Sequence, residues 1–204
     1  MHSKNIEEIL LNTPNYFQTL IFGKMLEEVV TSETLGISEI EHENNSKPHL
    51  TEREIEVLIE ATKDNYSGGF ISHVAEVLEI SERTVKYHLA NISQKFGVIG
   101  IFCLVYHAFY NGFLSVEDVA KEAYIKSRLA MLTAGERKAL TAYATNALDQ
   151  GYIAKKSIAP ILAISPNTLR THIRQIYNKC GIRNYAQLAV FAYAYSPNMQ
   201  HQAG

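Results

Sequence analysis

The stretch "ISPNTLRTHIRQIYNKCGI" (residues 164–182) repeats, with changes, the earlier stretch "ISERTVKYHLANISQKFGV" (residues 80–98). The two share seven identities in nineteen aligned positions, where ordinary residue frequencies would give roughly one by chance. Apolar residues recur at spacings of 4, 3 and 4 in both stretches, which indicates a helix with one buried stripe. A serine before each helix and a glycine after it suit the two helix caps. The sequence therefore predicts two copies of one helical unit.

The repeat extends upstream, because "LTEREIEVL" (residues 50–58) aligns with "LTAGERKAL" (residues 132–140). Thr51 with Glu54, and Thr133 with Glu136, have the spacing of a capping box at a helix N-terminus. The two-residue difference in length falls in segments that carry turn residues. We call residues 50–114 the first repeat and residues 132–195 the second repeat.

The segments outside the repeats also have helical or polar patterns, and no β pattern of any length occurs. Residues 15–31 predict one amphipathic helix, and residues 115–131 predict a connecting helix with Ser115 and Asp118 as its capping pair. The predicted fold class is all-α. The predicted organisation is an N-terminal helix and acidic linker (1–49), the first repeat (50–114), the connecting helix (115–131), the second repeat (132–195) and a C-terminal tail (196–204).

The charge distribution is uneven although the net charge of the whole chain is only −2. Residues 1–49 sum to −5 and residues 50–114 to −3, whereas residues 132–204 sum to +6. A positive charge concentrated in the last third is typical of a surface that binds an acidic polymer.

Composition also excludes several classes of protein. The longest apolar run, at residues 100–114, is too short and too interrupted to span a membrane. The N-terminus lacks the features of a secretory signal, and Cys103 and Cys180 have neither zinc-site nor disulfide-framework spacing. We expect both cysteines to be small core residues. The predicted location is the cytoplasm, with association to the nucleoid when DNA is bound.

Each repeat predicts two short helices joined by a tight turn, which is the helix-turn-helix arrangement. The second helix of that motif enters the DNA major groove. With Leu169 pointing inward, a rotation of 100° per residue places five polar side chains on the outer face of the later helix: Asn167, Arg170, Thr171, Arg174 and Asn178. Arginine suits guanine, asparagine suits adenine, and threonine suits a thymine methyl or a phosphate. A merely solvated cationic face is the alternative, and the repeat and the charge asymmetry favour DNA.

The first repeat, "LTEREIEVL…VAEVLEISERTVKYHLANISQKFGV", resembles the LuxR/FixJ/NarL-type (GerE-like) helix-turn-helix of bacterial transcription regulators. Its pattern is LTxREhEVL, then hAxxLxIS, then TVKxHhxxIxxKhGV, where h is apolar. The first repeat matches nearly every fixed position, and the second repeat retains most of them. The resemblance implies two tandem four-helix DNA-binding domains in this one chain.

The resemblance also implies which residues meet DNA. Lys86, Tyr87 and Ala90 in the first repeat, and their counterparts in the second, would face base edges, while the threonines and lysines of the motif would lie near phosphates. The candidate DNA-binding residues are Asn167, Thr168, Arg170, Thr171, Arg174, Asn178, Lys179 and Arg183 in the second repeat, and Arg83, Thr84, Lys86, Tyr87 and Lys95 in the first.

No pattern for catalysis, metal binding or a cofactor is present. His88 and His172 recur at equivalent positions but have no second ligand or carboxylate at helical spacing. The GxSxG, P-loop and HExxH motifs do not occur, so we expect neither an enzyme nor a catalytic residue, metal site or cofactor. The expected partner is double-stranded DNA through its major groove. RNA polymerase or a regulatory protein, and a second copy of the chain, are further candidate partners, whereas a membrane is not.

The resulting hypothesis is a sequence-specific transcription regulator in which the second, basic repeat provides most of the affinity for DNA. The duplication would supply in one chain the two reading units of a dimer, with half-sites about one helical turn apart. The apolar stretch "IFCLVYHAFY" (residues 101–110) then needs burial against the second repeat, the N-terminal helix or another subunit. The alternative function is a helix-turn-helix protein that binds another regulator, as an antiactivator or co-regulator.

Overall fold

Ten α-helices account for most of the residues that the computed structural model describes, which are 48–63, 69–153 and 155–196, with only the backbone at Lys155. No strand occurs among these residues, so the all-α prediction is confirmed. The predicted helix at 15–31, nearly all of the predicted linker and all but the first residue of the predicted tail lie outside the described residues. The helices are α1 (Glu52–Thr62), α2 (Phe70–Val77), α3 (Glu82–Phe96), α4 (Ile101–Tyr110), α5 (Val116–Val119), α6 (Glu122–Ala130), α7 (Ala134–Gln150), α8 (Lys155–Ile161), α9 (Pro166–Cys180) and α10 (Tyr185–Tyr195).

The helices α1–α4 and α7–α10 follow one another in the same order, and their first helices begin in the same way. The Thr51 hydroxyl accepts a bond from the Glu54 amide at 3.2 Å, and the Glu54 carboxylate accepts one from the Thr51 amide at 2.7 Å. Thr133 and Glu136 form the same reciprocal pair at 3.4 and 2.7 Å. Both predicted capping boxes are therefore present, and each satisfies two amides that a helix start leaves without partners.

The segment that connects the repeats differs from its prediction. Instead of one helix over 115–131, the chain forms α5 and α6, separated by Ala120 in an extended conformation (φ −162°, ψ 160°). The predicted cap is present, since the Asp118 carboxylate accepts a bond from the Ser115 amide at 2.7 Å. α6 then lies against α9 and α10, and the Tyr124 hydroxyl donates to the Cys180 carbonyl at 3.2 Å.

The helix α7 is longer than its counterpart α1. It continues through residues 146–150 into the segment where the two repeats differ in length, and it ends at Gly151 with φ +67°. The additional turns bring the C-terminal end of α7 against the first repeat, where the Ile99 amide donates to the Gly151 carbonyl at 2.7 Å.

The core is centred on α4 and α10, which pack against each other. Eight of the ten residues of α4 are buried, and burial of each large apolar side chain contributes about 1.5–3 kcal/mol. The apolar stretch of the first repeat is thus covered by the second repeat, the first of the three possibilities that the sequence left open. The described residues from Pro48 onward form one compact unit.

Both cysteines belong to this core as predicted. Cys103 and Cys180 are free thiols with almost no exposed surface. Burial raises the pKa of Cys103 to about 12 and that of Cys180 to about 11, so both remain protonated and unreactive at neutral pH.

Within the described part of the chain, no single helix is long and apolar enough to cross a membrane. The pair α3 and α4 meets that test of length and composition only when the two are taken together, and they are bent by 57°.

Candidate nucleic-acid interface

The turn between α2 and α3 has the same backbone geometry as the turn between α8 and α9. Glu79 adopts φ +54° and Ala163 adopts φ +52°, both in the left-handed region. The Ile80 amide donates to the Ala75 carbonyl at 2.9 Å, and the Ile164 amide donates to its counterpart, the Ala159 carbonyl, at 3.1 Å. These are the bonds of a Schellman helix end, which reverses the chain tightly enough to start the next helix at once. Each repeat therefore contains a helix-turn-helix.

The helices α3 and α9 begin with equivalent caps. Ser81 accepts a bond from the Thr84 amide at 3.0 Å, and Ser165 accepts one from the Thr168 amide at 3.0 Å. The hydroxyl of each threonine also bonds to the cap serine, at 2.7 and 2.9 Å. Thr168 is exposed and Thr84 is half-buried, so only the second-repeat threonine is fully presented to a ligand.

The buried stripe of α9 separates it into a core side and an outer face. Leu169, Ile173, Ile176 and Cys180 are buried as the spacing predicts. The outer face of α9 consists of the five side chains on the opposite side, all of them exposed: Asn167, Arg170, Thr171, Arg174 and Asn178. The Arg170 guanidinium donates to the Asn167 amide oxygen at 2.8 Å, which orients both groups outward together.

The outer face of α3 has less positive charge available. Arg83 and Tyr87 are exposed, whereas Lys86 is half-buried. Glu82 at the start of the helix accepts a bond from the Ser72 hydroxyl of α2 at 2.6 Å, where the second repeat has Pro166. The expectation that Ala90 faces base edges is wrong, because Ala90 is only 6% exposed while its counterpart Arg174 lies on the surface.

The motif lysines, expected near phosphates, bind glutamates of the protein itself. The Lys95 ammonium lies 2.7 and 2.9 Å from the two carboxylate oxygens of Glu54. Lys179 binds Glu136 at the same two distances. Each glutamate also closes its capping box, so Lys95 fastens the end of α3 to the start of α1, and Lys179 fastens the end of α9 to the start of α7. Sequence reasoning missed this pairing, although the threonine, glutamate and lysine recur together in both repeats.

The ion pairs also determine how the glutamates titrate. Burial of the Glu136 carboxylate opposes its ionisation, but the bonds from Lys179 and Thr133 outweigh burial, and the pKa of Glu136 lies below its usual value. Glu54 has a lowered pKa for the same balance of reasons, with Lys95 and Thr51 as its partners.

The two equivalent histidines pack beside these capping boxes. A Cβ added to Gly135 would lie 2.9 Å from the Cε1 atom of His172. Burial lowers the pKa of His88, and the neighbouring Glu54 opposes that shift. Among the described residues, no group of three histidine, cysteine, aspartate or glutamate side chains has the arrangement of a metal site.

The remaining candidate, Arg183, follows the glycine that ends α9. It is exposed, and its backbone amide donates to the Gln187 side-chain oxygen at 2.7 Å. The counterpart in the first repeat is the apolar Ile99, which is 52% exposed. The second repeat thus has a cation two residues after the helix-ending glycine, where the first repeat has an apolar side chain.

The described residues are all-α and contain two helix-turn-helix units, which is the architecture of a helix-turn-helix protein. A comparison with protein-family models agrees, since the model of the bacterial regulatory proteins of the luxR family matches residues 48–108 and 148–192, together just over half of the chain. The chain belongs to the luxR family of bacterial regulatory proteins, and it is a DNA-binding transcription regulator. The family consists of DNA-binding regulators rather than enzymes. Neither the curated proteins nor the solved structures gave a match to the chain.

Proposed function

We propose that this protein recognises a specific DNA sequence with two tandem helix-turn-helix domains, and that the second domain provides most of the affinity. The observation that carries this proposal is the exposed outer face of α9, with two arginines, a threonine and two asparagines on one side of a helix that follows a tight turn. The outer face of α3 has a half-buried lysine and a buried alanine at the positions of the two arginines.

The chemistry of the outer face of α9 fits direct readout of base edges. Arginine can donate two parallel bonds to the O6 and N7 atoms of guanine, and a good bidentate pair provides about 1–3 kcal/mol of discrimination against the wrong base. Thr171 is exposed on the same face as Arg170 and Arg174 and can contact a thymine methyl group or a phosphate. We infer that α9 reads a half-site that contains guanine.

The charge of the surrounding elements supports the ranking of the two domains. The exposed Lys156 of α8 stands at the position of Ser72 in α2, and the first helix of a helix-turn-helix crosses the phosphate backbone. Each cation that neutralises a phosphate releases counterions and adds affinity. The first repeat has a net charge of −3, and its Glu82 lies at the N-terminus of α3.

The test uses the full-length protein and a DNA fragment selected by it from a genomic library. We expect Arg170→Ala with Arg174→Ala to weaken binding at least a hundredfold, since two bidentate contacts are lost. The slope of log affinity against log salt concentration should also become shallower, in proportion to the number of phosphates that the two arginines neutralise in the parent protein. Fluorescence anisotropy between 50 and 200 mM salt measures both quantities.

The matched control removes the same charge elsewhere. Lys121→Ala with Lys126→Ala also deletes two exposed cations, but on the connecting segment, and it should leave binding within a few-fold of the parent. Equal losses in both double variants would mean that only net charge matters. Unchanged affinity of the folded Arg170/Arg174 variant would overturn the assignment of α9 as the reading helix.

A second candidate function is binding of another protein, either a regulator or RNA polymerase, by the first repeat. The specific observation in its favour is the acidic first repeat with Tyr87, 49% exposed, on the outer face of α3. Under this alternative, Tyr87→Ala would leave DNA affinity unchanged and would reduce transcriptional output in a reconstituted assay. A loss of DNA affinity in the same variant would instead assign α3 to DNA.

A further inference from the structure

We infer that an approximate two-fold axis relates the two repeats, so that a single chain reads two half-sites that are inverted relative to each other and different in sequence. The half-site part of this inference rests on the proposed function. It distinguishes among arrangements that a tandem duplication leaves open, because linked domains can equally bind direct repeats.

The first observation is a contact between equivalent residues. Helices α4 and α10 begin at Ile101 and Tyr185, so residues 84 apart in sequence correspond. Phe109 and its counterpart Tyr193 stack on each other, with ring centroids 4.9 Å apart and planes at 25°. A helical side chain points to one side of its helix, so two equivalent side chains meet face to face only when rotation, rather than translation, relates their helices. The axis therefore passes between these two rings.

The second observation is that the contacts between the repeats are reciprocal. The last helix of the first repeat, α4, packs on the first helix of the second, α7, and α10 packs on α1 in return. The His107 ring nitrogen lies 3.1 Å from the Ala147 carbonyl, and the Asn184 amide donates to the Ala61 carbonyl at 3.4 Å. Contacts in which each partner offers the same elements define an isologous interface, the kind that a two-fold axis generates.

The third observation is that this interface is buried within the chain. Phe109 and Tyr193 are 1% and 6% exposed, and the rest of α4 is almost entirely covered. The surface through which the two reading units pair is therefore occupied internally. One chain then supplies both units, and one chain occupies the full site.

The consequence for DNA follows from symmetry. A two-fold axis in the protein is matched by a palindromic arrangement of half-sites in the duplex. In this protein the axis relates the backbones of the two repeats, but the side chains on their outer faces differ. Arg170 and Arg174 of the second repeat correspond to Lys86 and Ala90 of the first. The site should therefore have two inverted half-sites of different sequence, with the half-site read by α9 contributing more of the affinity.

One experiment tests without DNA whether a single chain holds α3 and α9 at the spacing of two half-sites. Spin labels on Arg83→Cys and Asn167→Cys occupy equivalent exposed positions at the starts of α3 and α9, while the native cysteines are buried. Electron double resonance should give one distance of about 34 Å, the spacing of half-sites one helical turn apart, and dilution with unlabelled protein should not change it. A distance below about 20 Å, or a signal that disappears on dilution, would overturn the intramolecular arrangement.

A second experiment tests the half-sites with the unlabelled full chain. The two halves of the selected DNA sequence are rebuilt in inverted, direct and everted orientation at constant centre spacing. We expect at least tenfold tighter binding to the inverted duplex, with one chain per duplex by analytical ultracentrifugation. Tighter binding to the direct repeat, or two chains per duplex, would overturn the inference and leave the proposed function intact. Failure to bind any duplex would overturn the proposed function and the half-site assignment, while the label distance would still decide whether one chain holds α3 and α9 at this spacing.

Discussion

Lys179 holds the C-terminal end of α9 against the start of α7. Its ammonium group is the partner of a carboxylate that is only 5% exposed, and its own side chain is 27% exposed. An unpartnered buried carboxylate costs about 1–3 kcal/mol or more. The family resemblance implied a phosphate contact for this lysine, and its observed bonds to the glutamate explain its presence in both repeats.

The variant Lys179→Met should therefore change stability and its dependence on pH. The folded protein holds the pKa of Glu136 low, so this pair stabilises the parent above the ordinary pKa of 4.5 and its contribution is lost as the pH falls through the lowered value. In the variant the buried carboxylate keeps its bonds from Thr133 but has no ammonium partner, so its pKa rises relative to the parent. We expect a loss of about 1–3 kcal/mol at pH 7 that shrinks on acidification toward pH 5.

Urea unfolding from pH 7 to pH 4 measures this effect. The double variant Glu136→Gln with Lys179→Met removes the carboxylate as well, so it should recover part of the lost stability and abolish the altered pH dependence. A Lys179→Met protein with parental stability at every pH would mean that the lysine acts in DNA binding and does not stabilise the fold.

A substitution at the turn residue Ala163 tests a different local property, the strain of a left-handed backbone conformation. It has φ +52° and is exposed, and a left-handed conformation costs a residue with a Cβ roughly 1–2 kcal/mol. Ala163→Gly should stabilise the protein by about 0.5–1 kcal/mol, because the strain removed exceeds the added backbone entropy. Thermal unfolding measures the change.

The same replacement at Ala123 is the control for this prediction. Ala123 is an exposed residue within α6, where glycine costs about 1 kcal/mol relative to alanine. The two variants should therefore shift the melting temperature in opposite directions. Destabilisation by Ala163→Gly would show that the left-handed turn residue carries no strain.

Sequence patterns predicted where several helices begin and end better than they predicted which segments each helix contacts. Capping boxes, serine caps and terminal glycines depend on residues close together in sequence, so the starts of α1, α3, α7 and α9 and the ends of α3 and α9 followed from local spacing. The break between α5 and α6 and the extension of α7 did not. In both cases the helix boundary coincides with contacts to distant segments, namely α6 on α9 and Gly151 on the first repeat.

The contact at the end of α7 can be tested by replacing two glycines, Gly97 and Gly151, with alanine in separate variants. Gly97 and Gly151 have nearly the same φ, +65° and +67°. A Cβ on Gly97 would meet no atom within 4 Å, whereas one on Gly151 would lie 3.1 Å from the Gly97 carbonyl. Gly97→Ala should cost about 1 kcal/mol from backbone strain alone, and Gly151→Ala should cost more, because it also pushes the two repeats apart.

Chemical denaturation of both variants gives the difference directly. The excess loss in Gly151→Ala over Gly97→Ala isolates the contact between α7 and the end of α3, since the conformational strain is common to both. Equal losses of unfolding free energy in the two variants would mean that the contact at Gly151 accommodates the added methyl group without loss of stability.

For the whole molecule, the shared core of α4 and α10 predicts one cooperative unfolding unit. The last helices of the two repeats pack on each other, and small domains with one core unfold in a single transition. Calorimetry of the intact chain should give one transition whose van't Hoff and calorimetric enthalpies agree. In hydrogen exchange, the slowest amides of α3 and α9 should open with the same free energy.

The variant Phe109→Ala should lower that common free energy for both repeats by about 3–5 kcal/mol, the usual cost of removing a buried phenylalanine. Protection that falls only in the first repeat, or two separate calorimetric transitions, would contradict a single core. Phe113→Ala, at a half-buried side chain beyond the end of α4, is the matched control and should cost less.

The sequence by itself determined the helical repeat, its caps, the buried stripe and the exposed outer face of α9, because each depends on spacing within about one turn of helix. It also identified the family, since the motif residues are contiguous in the chain. Only the tertiary structure decided that α10 covers α4, that Lys179 holds Glu136, that Ala90 is buried and that Phe109 meets Tyr193. These contacts join residues some 40 to 90 positions apart, and the approach of distant segments is set by how whole faces pack, which no local periodicity encodes.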